Sequence, residues 1–79
     1  MTGVRVRLTF PVELIREPLL ALVAREHDVL PNIRRASVEE NEGWIVCELD
    51  GEARAVDAAI AWLEGRGVVV DYLGDAVES

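Results

Sequence analysis

With 79 residues the chain has room for one domain with a thin core, because a chain this short buries only about 60 % of its unfolded surface. Its net charge of -7 argues against nucleic acid and anionic membrane surfaces as partners, since like charges would be brought together. The longest aliphatic run, residues 19–24, is too short to span a bilayer, and because the first residues lack a basic stretch followed by an apolar segment we expect no targeting segment. We expect a single domain over residues 1–79, ordered at about 3–74, with a frayed polar tail.

The single cysteine and the uneven distribution of charge limit the kinds of site and partner that the chain can have. The one cysteine, Cys47, cannot form an internal disulfide or build a metal site alone, so we expect a cytoplasmic protein without a metal or cofactor. Residues 1–35 carry six arginines against four acidic residues, whereas residues 36–79 carry two against eleven. Such asymmetry can bring two copies, or a partner, into register.

The first half of the chain predicts a strand, a helix and a second strand. Apolar and polar residues alternate from Val4 to Phe10, which is the period of a strand with one covered face. Pro11 ends this strand, and Pro18 opens a helix that fades near His27. A second strand follows over residues 30–40, and Pro31 favours an edge position for it, where a missing N–H group removes no ladder bond. Neither of its faces is cleanly apolar, which indicates a bulge.

The second half repeats the pattern. Residues 41–43 form a polar turn before a third strand, Trp44 to Leu49, and residues 50–52 end that strand. A second helix is predicted from the apolar stripe of Val56, Ala59, Ile60 and Leu63, with Gly65 and Gly67 as its terminators. Residues 68–73 form the fourth strand.

Two strand-helix-strand halves with right-handed crossovers combine into an α+β, ferredoxin-like βαββαβ sandwich. We expect a four-stranded antiparallel sheet of order 4-1-3-2, with both helices on one face. The other face would then be open, carrying Arg5, Arg7, Trp44, Val46, Glu48 and Val69. A Trp and two Val residues rimmed by charge favour association, so we expect a homodimer with Arg7, Trp44 and Val46 at its interface.

Five segments of the chain resemble the NIL domain, the regulatory C-terminal module of methionine ABC-transporter ATPases. They are Val6–Phe10, Pro18–Leu20, Asn32-Ile33, Leu49–Glu52 and Ala59–Glu64. The family is named for an Asn-Ile-Leu motif, and here Arg34 stands in place of the Leu. Ala36 likewise replaces a frequent family glycine.

The resemblance implies a methionine site formed between paired domains, with Asn32, Ile33 and Arg34 at the matching positions. Asn32 supplies a donor and an acceptor for an amino acid's charged groups, and Ile33 supplies an apolar contact. Arg34 has three alternative roles. It binds a ligand carboxylate, or it occupies the space that the ligand thioether would fill. In the third alternative it pairs with Glu39, Glu40 or a charge on a second subunit.

Several of these residues also have a purely structural interpretation. The amide of Asn32 can bond its own backbone in a turn or an edge-strand cap, and Trp44 can be a packing residue instead of a stacking platform. His27 lies near the end of the first helix, and this position favours a capping role in which the protonated ring meets the negative end of the helix. Cys47 alternates with apolar neighbours and is expected to be a buried, inert thiol. Trp62 lies off the apolar stripe of the second helix, and we expect it either to cover the flank of that helix or to contact a partner.

Three classes of function remain. The first is a non-catalytic regulatory module that binds methionine or a related apolar amino acid and acts in trans, since the chain has no P-loop Gly-Lys sequence. Its partner would be a transporter ATPase or a sulfur-metabolism protein. The second is an interaction adapter that has lost ligand binding. The third is an enzyme, because small acyl-phosphate hydrolases share this fold, but residues 11–14 offer no phosphate-cradling loop.

Overall fold

The computed structural model describes residues 2–75, which form four strands, two α-helices and one short 3-10 helix. In chain order they are β1 (Thr2–Pro11), the 3-10 helix (Val12–Leu14), α1 (Leu19–His27), β2 (Leu30–Val38), β3 (Glu42–Gly51), α2 (Ala53–Gly65) and β4 (Val69–Asp75). This order confirms the predicted βαββαβ architecture.

All neighbouring strands are antiparallel, and the sheet order is β2-β3-β1-β4. Counted from the other edge this is the predicted 4-1-3-2 arrangement. The two central strands, β1 and β3, also carry the strongest apolar alternation. Strand β2 lies at the edge, where Pro31 is tolerated because one side of an edge strand needs no ladder bonds.

The core lies between one face of the sheet and the two helices. Alternate residues of β1 and β3 are buried there, and each helix contributes its apolar stripe. The largest fully buried side chains are Leu8, Leu19, Leu49, Leu63, Val6, Val23, Val29, Val56 and Cys47. Both helices therefore cover the same sheet face, and none within residues 2–75 is long and apolar enough to cross a membrane.

The structure differs from the sequence-based expectation at several element ends. A turn of 3-10 helix, Val12–Leu14, was not predicted, and Pro18 is the N-cap of α1 instead of its first residue. Strand β3 runs into both flanking turn segments, and β4 extends to Asp75, two residues beyond its predicted end. Of the predicted frayed tail, residues 76–79 lie outside the described part of the chain.

Only one of the two predicted terminators of α2 has the backbone conformation that ends a helix. Gly67 has φ +103°, in the region that glycine adopts at no steric cost. Its N–H group donates to the carbonyl of Glu64, and the N–H group of Val68 donates to the carbonyl of Leu63. This is the Schellman pattern of hydrogen bonds. Gly65 is the last residue of α2, so its predicted role as a terminator was wrong.

Because the two glycines differ in backbone conformation, replacing each of them by alanine should have opposite effects on the stability of the domain. Gly67→Ala forces a Cβ into a left-handed conformation and should destabilise the domain by about 1 to 2 kcal/mol. Gly65→Ala places a Cβ where no heavy atom lies within 4 Å, and should be neutral or stabilising by up to about 1 kcal/mol. Urea denaturation of both variants measures the difference. Equal losses of stability in the two variants would contradict this account of the helix end.

Candidate functional site

The face of the sheet away from the helices, called here the open face, carries the residues predicted for it. The strand register pairs Arg5 with Glu48 and Arg7 with Val46, and it sets Thr9 between Trp44 and Val69. Partners directly opposite each other in antiparallel strands point to the same side of the sheet. The side chains on this face therefore alternate, along β1 and β3, with the buried residues of the same strands.

A bulge in β2 decides where the motif residues point. The register shifts between Ile33 and Arg35, so Arg34 is the extra residue and the predicted bulge is confirmed. Asn32 pairs with Glu48 and lies on the open face, whereas Ile33 pairs with buried Cys47 and points to the helix side. The bulge turns Arg34 toward the open face, where its guanidinium meets Glu48. Asn32 and Arg34 are thus together, and Ile33 is on the opposite side of an edge strand.

Five neighbouring side chains on the open face, called here the polar cluster, form two hydrogen-bonded groups: Arg5, Arg34 and Glu48 in one, and Asn32 and Asp50 in the other. Glu48 accepts a hydrogen bond from Arg5 at 2.7 Å and one from Arg34 at 3.0 Å, one on each carboxylate oxygen. The Nδ2 group of exposed Asn32 donates to the Oδ2 atom of Asp50. Of the three roles left open for Arg34, the structure shows an ion pair, but with Glu48 and not with Glu39 or Glu40.

Glu48 is the electrostatic centre of this cluster. It is only 8 % exposed, while the side chains of Arg5 and Arg34 keep about half of their surface in solvent (47 % and 60 %). The hydrogen bond from Arg5, followed by that from Arg34, holds the pKa of the Glu48 carboxyl below its ordinary value. The carboxylate therefore stays ionised at neutral pH and fixes two guanidinium groups beside Asn32.

The predicted interface residues are neighbours of the polar cluster. The guanidinium carbon of Arg7 lies over the ring of Trp44, 4.8 Å from its centroid, and both Trp44 and Val46 are half-buried. Stacking on Arg7 orders the ring on the sheet surface. The geometry is compatible with both interpretations of Trp44, as a packing residue and as a contact surface.

The open face also differs in charge from the rest of the molecule. It carries four arginines, Arg5, Arg7, Arg34 and Arg35, and four acidic residues, Glu42, Glu48, Asp50 and Asp71. The rest of the chain holds the other four of eight arginines and eleven of fifteen acidic residues. A second negatively charged molecule, including a second copy, is therefore repelled least at this face.

The remaining candidates have structural roles. Burial, with a contribution from the charge of Glu48, raises the pKa of the Cys47 thiol to about 11, so it stays protonated and inert, as predicted. His27 is the last residue of α1, and its ring lies 5.5 Å from that of Trp62 in α2. Trp62 is half-buried against the core and thus covers the seam between the helices. Within residues 2–75 no group of three or more potential metal ligands occurs.

The polar cluster can recognise a small zwitterion. Asp50 and the Asn32 carbonyl can accept hydrogen bonds from an ammonium group, and the guanidinium of Arg34 can donate to a carboxylate. Sequence reasoning missed Glu48 and Asp50 as members of this site. The signal was present, since both residues share the parity of Trp44 and Val46, but the positions of Glu48 opposite Asn32 and of Asp50 opposite Leu30 depend on the register of β2.

Neutralising Glu48 should change how stability depends on pH. Because the folded-state pKa of Glu48 is lowered, its stabilisation is present above its unfolded pKa, near 4.5, and is lost as the pH falls through the folded value. Glu48→Gln should therefore be less stable than the parent protein at pH 7, and the gap should narrow toward pH 3. Urea denaturation across this range measures it, with Glu40→Gln in the exposed β2–β3 turn as a control. A gap that does not vary with pH would contradict the ion-pair assignment.

Comparisons with known proteins agree with this architecture. The sequence profile of the NIL domain matches residues 4–71. The chain is 38 % identical over 74 residues to the methionine import ATP-binding protein MetN 1 of Listeria innocua, and 32 % identical to that of Bacillus cereus. These alignments cover 89 % of this chain but only 22 % and 21 % of the relatives, so the chain spans about a fifth of their length.

A solved structure shows the same fold. It is the C-terminal domain of an ABC transporter ATP-binding protein from Enterococcus faecalis, with a TM-score of 0.81 and 26 % sequence identity. The match covers 91 % of this chain and 84 % of that domain. Fold, sequence profile and relatives converge, and the chain belongs to the NIL domain family.

Proposed function

We propose that this NIL domain is a non-catalytic regulatory module that binds methionine or a related apolar amino acid between two copies of the chain. The observation that carries the proposal is the exposed amide of Asn32, set beside Arg34 and Asp50 on a sheet face that no helix covers. An amide, a cation and an anion within one cluster supply the groups that an α-amino acid needs.

The apolar part of the ligand needs a cover that one chain does not provide. Val46 lies two residues from Glu48 on the same face of β3, and Trp44 lies two residues further. A second copy packed on the open face would enclose a thioether between these side chains and its own. Ile33 points to the other side of β2, so it reaches the ligand only around the outer edge of that strand.

Charge favours the open face as the surface that a second copy covers. The rest of the chain is strongly acidic, whereas the open face holds as many arginines as acidic residues. Two open faces brought together by a two-fold axis form a closed, self-complementary contact. The half-buried Trp44 and Val46 gain further burial in that arrangement.

The partner is inferred from the relatives. The proteins of Listeria innocua and Bacillus cereus are named as methionine import ATP-binding proteins, and the similar domain from Enterococcus faecalis is the C-terminal domain of an ABC transporter ATP-binding protein. We propose that ligand binding here changes the activity of a transporter ATPase or a sulfur-metabolism protein in the cytoplasm.

The adapter function remains the second candidate, because Arg34 is already bonded to Glu48. If that ion pair is not exchanged for a ligand carboxylate, the site is closed by its own chain. The open face would then serve only as a protein contact. The two candidates differ in their response to methionine.

Methionine should stabilise the protein against heat. At a hundredfold excess over its dissociation constant, binding contributes about 2.7 kcal/mol, which raises the melting temperature of a domain this small by about 10 °C. Asn32→Ala should abolish the shift, and Asn41→Ala, an exposed amide in the β2–β3 turn, should keep it. An unchanged melting temperature with millimolar L-methionine would favour the adapter function instead.

The proposed dimer should be visible by sedimentation equilibrium. The parent chain should be dimeric at high micromolar concentration, because the site is completed by a second copy. Val46→Asp places a charge in the proposed contact and should shift the population to monomer, whereas Ala58→Asp on the exposed side of α2 should leave it unchanged. A parent chain that stays monomeric with and without methionine would contradict the intersubunit site.

A further inference from the structure

An apolar cavity of about 220 Å³ lies at the end of the sheet opposite to Asn32. Its walls come from the end of β1, the 3-10 helix, the start of α1 and the β2–β3 hairpin, and include Phe10, Leu14, Leu19, Leu20, Val38 and Ile45. Val38 is 74 % exposed, so the cavity presents an apolar side chain to solvent at its mouth. The proposed amino-acid site uses none of these six residues.

The cavity and the polar cluster cannot hold the same small ligand within one chain. Asn32 and Val38 are six residues apart on β2, and a strand rises about 3.3 Å per residue, so about 20 Å separates them. An amino acid is much shorter than this distance. The cavity therefore has room for a second occupant, and of the residues assigned to the amino-acid site it shares only Trp44.

The surroundings of the cavity are acidic. The hairpin turn next to Val38 carries Glu39 and Glu40, and the 3-10 helix of the cavity wall carries Glu13. None of these three carboxylates takes part in the ion pairs found among residues 2–75. Arg16 is the basic residue of this segment of the chain, and Glu17 in the cavity wall is already paired with Arg66.

We propose that this cavity with its acidic rim is the surface by which the domain contacts its protein partner, and that the partner contributes a segment with one large apolar side chain flanked by Lys or Arg. The apolar side chain enters the cavity, and its basic neighbours face the unpaired glutamates of the rim. Complementary charge brings such a segment into register and selects against acidic ones.

A second copy of the chain is a poor occupant of this cavity. Outside the open face its surface is strongly acidic, like the rim itself. An open face inserted into the cavity of another copy would make a head-to-tail contact, which extends into open assemblies instead of closing. A partner of opposite charge has neither problem.

The test uses the full chain, labelled with ¹⁵N, and a designed helical peptide with Leu on one side and Arg on the others. Amide signals of Ser37, Val38, Gly43 and Ile45 should shift on titration, and binding should weaken as salt is added. Val38→Asp should weaken binding at least about tenfold. Val69→Asp, at an exposed valine on β4 outside the cavity, should change it less than about twofold.

Two further peptides separate the parts of the proposal. Replacing Leu by Ser should abolish binding, because the cavity anchor is lost, and replacing Arg by Glu should abolish it through repulsion. Equal binding of either control peptide overturns the proposal, as do shifts confined to the open face or no binding at millimolar concentration. If L-methionine alone shifts the cavity signals, the cavity is a small-molecule site and the docking surface is rejected. None of these results depends on Asn32, so Asn32→Ala should leave peptide binding intact.

Discussion

The ionised carboxylate of Glu48, held between Arg5 and Arg34, is the interaction on which the open face depends. Both helices cover one side of the sheet, so the other side is left to polar side chains that must satisfy one another. A nearly buried carboxylate with two guanidinium partners does this, and it fixes the orientation of Arg34 beside Asn32. Removing one partner of such a group is costly because the others lose their counter-charge.

The bulge in β2 connects this electrostatic arrangement to the family motif. In an unbroken strand, Asn32 and Arg34 share one face and every later residue keeps that alternation. The extra residue lets Arg34 and Arg35 both serve the open face while Ala36 returns to the helix side. Arg34, which stands in place of the motif Leu, thus has a partner in the fold, because the carboxylate of Glu48 pairs with its guanidinium. On the open face, an acidic and a basic group that could pair with the charged ends of a zwitterion lie beside an apolar patch around Trp44.

Much of the fold could be predicted from sequence because its periodicities are strong. The alternation in β1 and the apolar stripe of α2 determine which faces are buried, and Pro31 indicates the edge strand. The predictions that depend on backbone detail were weaker. The turn of 3-10 helix after Pro11 has no distinct residue signal, and only backbone geometry, the positive φ of Gly67 and its hydrogen bonds, separates Gly67 from Gly65 as the helix terminator. Likewise, the cavity is formed by two separated segments, residues 10–21 and 37–45, and no local sequence pattern indicates that they meet in space.

Nuclear magnetic resonance of the side chains tests the central claim most directly. In a titration of the ¹⁵N-labelled chain with L-methionine, the account predicts saturable shifts of the Asn32 side-chain amide pair and of the Arg34 guanidinium signal. Both groups lie on the open face and have no other reason to respond together. Unchanged Asn32 and Arg34 signals at saturating methionine, or shifts restricted to the cavity at the other end of β2, would contradict it.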